Sequence, residues 1–211
     1  MYSVDHLSRY PFFRDALQNT SPNVMHDVLT GLIARPYILR FIQSLIAEQT
    51  PFSLIIVDLD NFKNINDNYG HRTGDAMLGC VAADLARFVG EDGIVGRFGG
   101  DEFLIVYFGS TAYDGLHDYL DRLYGEGGVF RKNVLVSGRS IFSTATVGCA
   151  AYPRDADSFD GLFALSDKTL YRGKSKGRNC FIIYVPEKHA HLEIPKLAQR
   201  SLYDAFAFMA E

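Results

Sequence analysis

Arg97-Phe98-Gly99-Gly100-Asp101-Glu102-Phe103 joins two short apolar runs, residues 94–98 and 103–108. Two apolar runs separated by a few residues rich in Gly read as strands of a hairpin, with Gly where a positive φ is needed. The tip of this hairpin carries two acids side by side, Asp101 and Glu102.

A second acidic pair lies upstream. Residues 52–57 form an apolar run rich in β-branched residues, the pattern of a buried strand, and the run ends in Asp58-Leu59-Asp60. If this strand neighbours the hairpin, three or four carboxylates meet at one edge of a sheet. Like charges at such spacing are costly unless cations sit among them. Mg²⁺ accepts a few carboxylates together with waters and phosphates, so the cluster points to phosphoryl transfer. Two look-alike motifs fail. A calcium loop starting at Asp58 would need an oxygen ligand and a Gly where Phe62 and Lys63 stand. Gly173-Lys174-Ser175 resembles the end of a phosphate-binding loop, but Lys168 occupies the place of the upstream Gly, and the stretch lies within a helix.

The remaining pattern alternates helices with strands. Helices are predicted near 6–17, from Pro36 to about 48, over 75–89, 111–124 and 158–176. Strands are predicted near 134–137, 143–151 and 179–184, and a polar loop over 61–73. One tight hairpin among the alternating elements implies an α/β (α+β sandwich-like) domain with a mixed, mostly antiparallel sheet flanked by helices. The division read from the sequence is an extension over 1–25, a main domain over 26–184, and a helical tail or linker over 185–211 with an apolar stripe at Ile194, Leu197, Ala198, Leu202, Ala205, Phe206 and Met209. That stripe would pack on its own domain, pair two copies, or lead to a further domain.

Composition sets limits. The 211 residues carry a net charge of −4, which argues against general nucleic-acid binding. Neither an apolar run of ~20 residues nor a basic-then-apolar leader is visible, so no membrane segment and a cytoplasmic location are expected. Cys80, Cys149 and Cys180 are far apart and odd in number, and read as reduced thiols.

Four segments together resemble the GGDEF family of diguanylate cyclases: Asp27-Val28-Leu29-Thr30-Gly31-Leu32, then Asp58 to Asp67 with Gly70-His71 and Gly74-Asp75, then the hairpin, then Asp167, Leu170-Tyr171, Lys174 and Gly177-Arg178-Asn179. The resemblance covers residues 26–184. It implies a sheet like that of nucleotidyl cyclases and polymerase palms, GTP as substrate, and Mg²⁺ (or Mn²⁺) as cofactor. It also implies a homodimer that makes cyclic di-GMP. Asp58, the Leu59 carbonyl, Asp101 and Glu102 would bind metal. Glu102 would also help deprotonate the attacking hydroxyl. Gly99 and Gly100 would admit the nucleotide, with Phe62 beside it, and Lys63, Lys174 and Arg178 would hold phosphates. Asn66 and Asp75 would read guanine, whose two adjacent N–H donors suit a carboxylate. The alternative is a GTP-binding regulatory module that controls an attached partner.

Two departures from the family pattern stand out: Ala34 where Asn is usual, and Gly173 where Ala is usual. A third is the window five residues before Gly99, where many members carry an Arg-x-x-Asp product-binding site. Here it reads Gly90-Glu91-Asp92-Gly93.

Overall fold

The structure, a computed structural model, describes residues 2–191. Strand β1 (Phe52–Leu59) is central, and all eight of its residues are buried. That explains its continuous apolar run, because a strand covered on both faces has no polar side to alternate with. On one flank it pairs antiparallel with β3 (Glu102–Tyr107), and on the other antiparallel with β6 (Ala145–Tyr152). Strand β2 (Gly93–Gly99) lies antiparallel to β3 at one edge, and β7 (Phe181–Ile183) parallel to β6 at the other. The order β2-β3-β1-β6-β7 is thus mixed and mostly antiparallel, as the sequence implied.

Strand alternation sends side chains to two cores. Ile55, Val57, Phe103 and Ile105 pack toward α5 (His71–Val89) and α6 (Tyr113–Tyr124). Leu54, Ile56, Leu104 and Val106 pack toward α3 (Arg35–Ala47) and α7 (Phe159–Ser175). The Ser158 side chain caps the start of α7 by accepting from the Gly161 N–H.

Helix α7 sits unusually close to the sheet. A Cβ on Gly148 of β6 would collide with the Ser166 carbonyl and the Leu170 amide of the helix backbone. Gly173 has a matching reason, since a Cβ there would press on the Thr146 methyl. Gly148→Ala is expected to destabilise the fold by roughly 1–3 kcal/mol, because backbone cannot move aside as a side-chain end can. Denaturant unfolding measures this, and an unchanged midpoint would refute the close-packing argument.

Several elements differ from the sequence reading. The first helix is two, α1 (Val4–Leu7) and α2 (Pro11–Asn19), because Pro11 can begin a helix but not continue one. Their rings cluster with the body of the domain, Tyr10 meeting Phe13, Phe41 and Phe108. The expected polar loop 61–73 contains a helix, α4 (Phe62–Tyr69), and α5 begins at His71. An unexpected strand β5 (Arg139–Ser143) pairs with β4 (Lys132–Val136) in a separate hairpin. The last strand is shorter than predicted, and Pro186–His189 forms a short helix, α8.

Edge strand β2 is covered. The Val95 N–H donates to the Tyr2 hydroxyl at 2.8 Å, the Ile33 N–H donates to the Val95 carbonyl at 3.2 Å, and the Arg97 N–H donates to the Ile33 carbonyl at 2.8 Å. Among the described residues no helix is long and apolar enough to cross a membrane, and Cys80, Cys149 and Cys180 are free thiols. The apolar stripe of 194–209 lies outside the described residues.

Candidate active site

Strand register brings the acids together. Asp58 and Glu102 are directly opposite each other on β1 and β3, and opposed residues of antiparallel strands share a face. The Leu59 N–H donates to the Asp101 carbonyl at 3.2 Å, tying the hairpin tip to the end of β1. The shared face is the one covered by α7. From that helix the Lys174 ammonium reaches Asp58 Oδ2 at 2.6 Å. Asp58 is only 8% exposed.

Asp60 does not join this cluster. It accepts from the Thr146 hydroxyl at 2.6 Å and from the Asn179 N–H at 2.9 Å. Asn179 and Arg178 both have positive φ, 50° and 68°, an uncommon backbone for residues with a Cβ. Arg131 adds bonds to the Asn179 side chain and carbonyl at 3.1 and 2.9 Å. Asp60 and Arg131 thus hold a strained turn that leaves Arg178 exposed.

The hairpin tip is anchored from behind. Asp27 accepts from the Thr30 N–H and hydroxyl at 2.9 and 2.7 Å, forming a closed turn. Arg97 donates to that same carboxylate at 3.2 Å and to the Gly100 carbonyl at 2.9 Å. Gly100 needs its glycine for a φ of +53°, while a Cβ on Gly99 would meet nothing within 4 Å. Packing therefore does not dictate glycine at position 99, which faces open space. Arg35 lies near, its guanidinium 4.5 Å from the Phe98 ring.

The other sequence-predicted residues fall on α4 and α5. Lys63 is exposed on the first turn of α4 and forms no ion pair among the described residues. Phe62 is buried in the core, so any contact with a nucleotide falls to its backbone. A Cβ on Gly74 would strike the Asn66 side-chain amide, so that glycine lets Asn66 lie against the start of α5. Asp75 follows it, exposed.

Burial makes the acid cluster electrostatically tense. It pushes the Asp58 carboxyl up to about 6, with Lys174 pulling the other way. Glu102 is pushed up to about 7, chiefly by burial and then by the charge of Asp58. Asp101 is raised as well, again by burial first. Sequence reasoning gave no role to Asp167 of α7. Its Oδ2 is buried without a hydrogen-bond partner, and burial raises it to about 6. These hard oxygen donors, unwilling to ionise together, fit a divalent ion such as Mg²⁺. Among the described residues no three His, Cys, Asp or Glu side chains are placed so that they could hold a metal ion by themselves.

The window at 90–93 is otherwise engaged. Glu91 pairs with Arg9 at 2.8 Å, and the Asp92 carbonyl accepts from the Phe108 N–H at 2.8 Å. A Cβ on Gly93 would strike the Val106 backbone, so no acid fits there. Cyclic di-GMP is expected not to bind this surface tightly. The check is calorimetric titration with the active site filled by a non-cyclising GTP analogue. Micromolar saturation that weakens on changing residues 90–93 would contradict it.

A mixed antiparallel sheet with acids at the end of β1 and on the adjoining hairpin defines the palm-like fold of nucleotidyl cyclases. Comparison with known proteins narrows this. The family model for the diguanylate cyclase GGDEF domain matches residues 24–180, and the chain belongs to that family. It is 33% identical over 168 residues to diguanylate cyclase DgcS of Shewanella oneidensis, covering 78% of this chain and 54% of that protein. It is 30% identical over 177 residues to response regulator PleD of Caulobacter vibrioides, covering 81% and 38%. Among solved structures, diguanylate cyclase SiaD of Pseudomonas aeruginosa, in complex with its activator SiaC, superposes with a TM-score of 0.70 at 27% identity, covering 81% of this chain and 65% of that one. The chain therefore spans about half or less of the length of these curated relatives.

Proposed function

We propose that this chain condenses two GTP molecules into cyclic di-GMP, releasing two pyrophosphates. The observation that carries the reading is the facing pair Asp58–Glu102 beside Asp101, at the end of the strand from which α4 and α5 depart. Each copy binds one GTP, and its 3′-hydroxyl attacks the α-phosphate held by the other copy. One site with one nucleotide cannot close the ring, so two copies must meet.

Asp58, the Leu59 carbonyl, Asp101 and Glu102 would hold Mg²⁺, which when bound supplies charge neutralisation at the phosphoryl group and activation of the attacking oxygen. The chain's own residues do the rest. Gly99 and Gly100 let the hairpin backbone approach the nucleotide. Lys63, Lys174 and Arg178 hold phosphate oxygens by charge-assisted hydrogen bonds. Asn66 and Asp75 accept and donate along the guanine edge. Glu102 takes the proton of the attacking hydroxyl.

The test is incubation of the purified protein with GTP and Mg²⁺, with chromatographic identification of products. Cyclic di-GMP and pyrophosphate in a 1:2 ratio are expected from the proposed reaction. GTP bound but recovered unchanged would reject cyclisation in favour of a regulatory nucleotide-binding module.

A further inference from the structure

Lys174 has two tasks at one site. In the structure it lies 2.6 Å from Asp58 Oδ2, a carboxylate 8% exposed. In the proposed reaction it holds a phosphate, and Asp58 holds a metal. A divalent ion that draws on Asp58 meets the positive charge of this ammonium beside the same buried carboxylate.

Lys174 is also the cation common to the whole cluster. Its charge acts on Asp58, Asp101, Glu102 and Asp167 alike, whereas Arg97 acts on Asp101 and is itself bound to Asp27 and the Gly100 carbonyl. Asp167 leaves a buried carboxylate oxygen without a partner two helical turns before Lys174. Removing the ammonium with nothing in exchange would leave buried acids unpaired, which is strongly unfavourable. A triphosphate arriving with its ion changes the balance. The ion takes over Asp58, and the phosphate oxygens take over the ammonium.

We propose that Lys174 is a resident counter-ion at Asp58 that a divalent metal must displace, so that metal enters this site together with the nucleotide and binds weakly without it. This rests on the cyclase reading of the site. It adds an order of assembly, and it gives Lys174 a second task besides gripping phosphate.

The probe is Mn²⁺, followed by the electron paramagnetic resonance signal of the free ion, with nucleotide-free protein. Lys174→Gln is expected to bind Mn²⁺ at least about tenfold more tightly than the unaltered chain, the scale of losing one close charge pair. Lys174→Arg, which keeps the charge, should not gain that affinity. A GTP analogue lacking the 3′-hydroxyl should tighten Mn²⁺ binding in the unaltered chain. Equal Mn²⁺ affinity in the unaltered and Gln forms overturns the proposal while leaving the metal site intact. Mn²⁺ bound by neither form, with or without the analogue, overturns the metal-dependent cyclase reading itself.

A second measurement needs no variant. Acylation of Lys174 in the unaltered protein, read by mass spectrometry, should speed up at saturating Mn²⁺ and slow again when the analogue is added. A rate unaffected by Mn²⁺ would show that the ammonium is not displaced and overturn the proposal.

Discussion

Replacing Glu102 by Gln is expected to lower cyclic di-GMP formation by at least ~10²-fold, the scale for losing one transition-state electrostatic contact. The substitution keeps the shape of the side chain and removes its charge. Opposite Asp58 and beside Asp101, it removes a proposed metal-binding oxygen and the proposed acceptor of the hydroxyl proton together. Undiminished turnover would defeat the assignment. The same variant has an opposite effect on stability. Burial raises the Glu102 pKa to about 7 in the folded chain. A raised carboxylate costs nothing below its unfolded value near ~4, and costs progressively more as pH climbs through the folded value. Metal-free protein should therefore lose stability between roughly pH 4 and pH 7. Glu102→Gln should recover roughly 1–3 kcal/mol of that loss at neutral pH, discounted for partial exposure. Thermal unfolding in the presence of a chelator measures it. A less stable variant would mean that the native carboxylate is satisfied in some other way.

Asp75→Ser is expected to weaken GTP binding and to reduce discrimination against ATP by about 10²-fold or more. Guanine presents two adjacent N–H donors, and a carboxylate accepts both. Adenine presents a donor beside a lone pair, which a carboxylate repels. Asp75 is exposed near the start of α5 with no hydrogen bond of its own among the described residues, so its oxygens are available to a base. Asn66 lies against the preceding Gly74, so the two side chains belong to one surface. Competition binding of GTP and ATP to the parent and the variant checks this. A parent that takes both nucleotides equally would remove Asp75 from base recognition.

The parts legible in the sequence are those where local pattern and tertiary role agree. β1 announced itself by an unbroken apolar run, α7 by its periodicity and the Gly177 stop, and the hairpin by its glycines. α4 did not, because Asn64, Asn66, Asp67 and Asn68 are poor helix formers. Only Phe62 and Ile65 tie it to the core. β5 was hidden because Ser137-Gly138, both at positive φ, make a tight turn between strands with few apolar residues. Spacing suggested that Asp58 and Asp60 act as a pair, but the chain leaves β1 between them, and Asp60 turns instead to Thr146 and Asn179. Asp167 was visible as a motif residue without a task. Its neighbours Asp58 and Glu102 belong to strands far away in sequence, a relation that no local pattern encodes.

Arg97 grips the Asp27 turn with one nitrogen and the Gly100 carbonyl with another. The Asp27 turn is where the chain passes from the aromatic N-terminal helices into the sheet domain. The doorway of the domain and the tip of its acidic hairpin are therefore riveted through one rigid, planar group. The link between them runs through polar groups and not through either hydrophobic core.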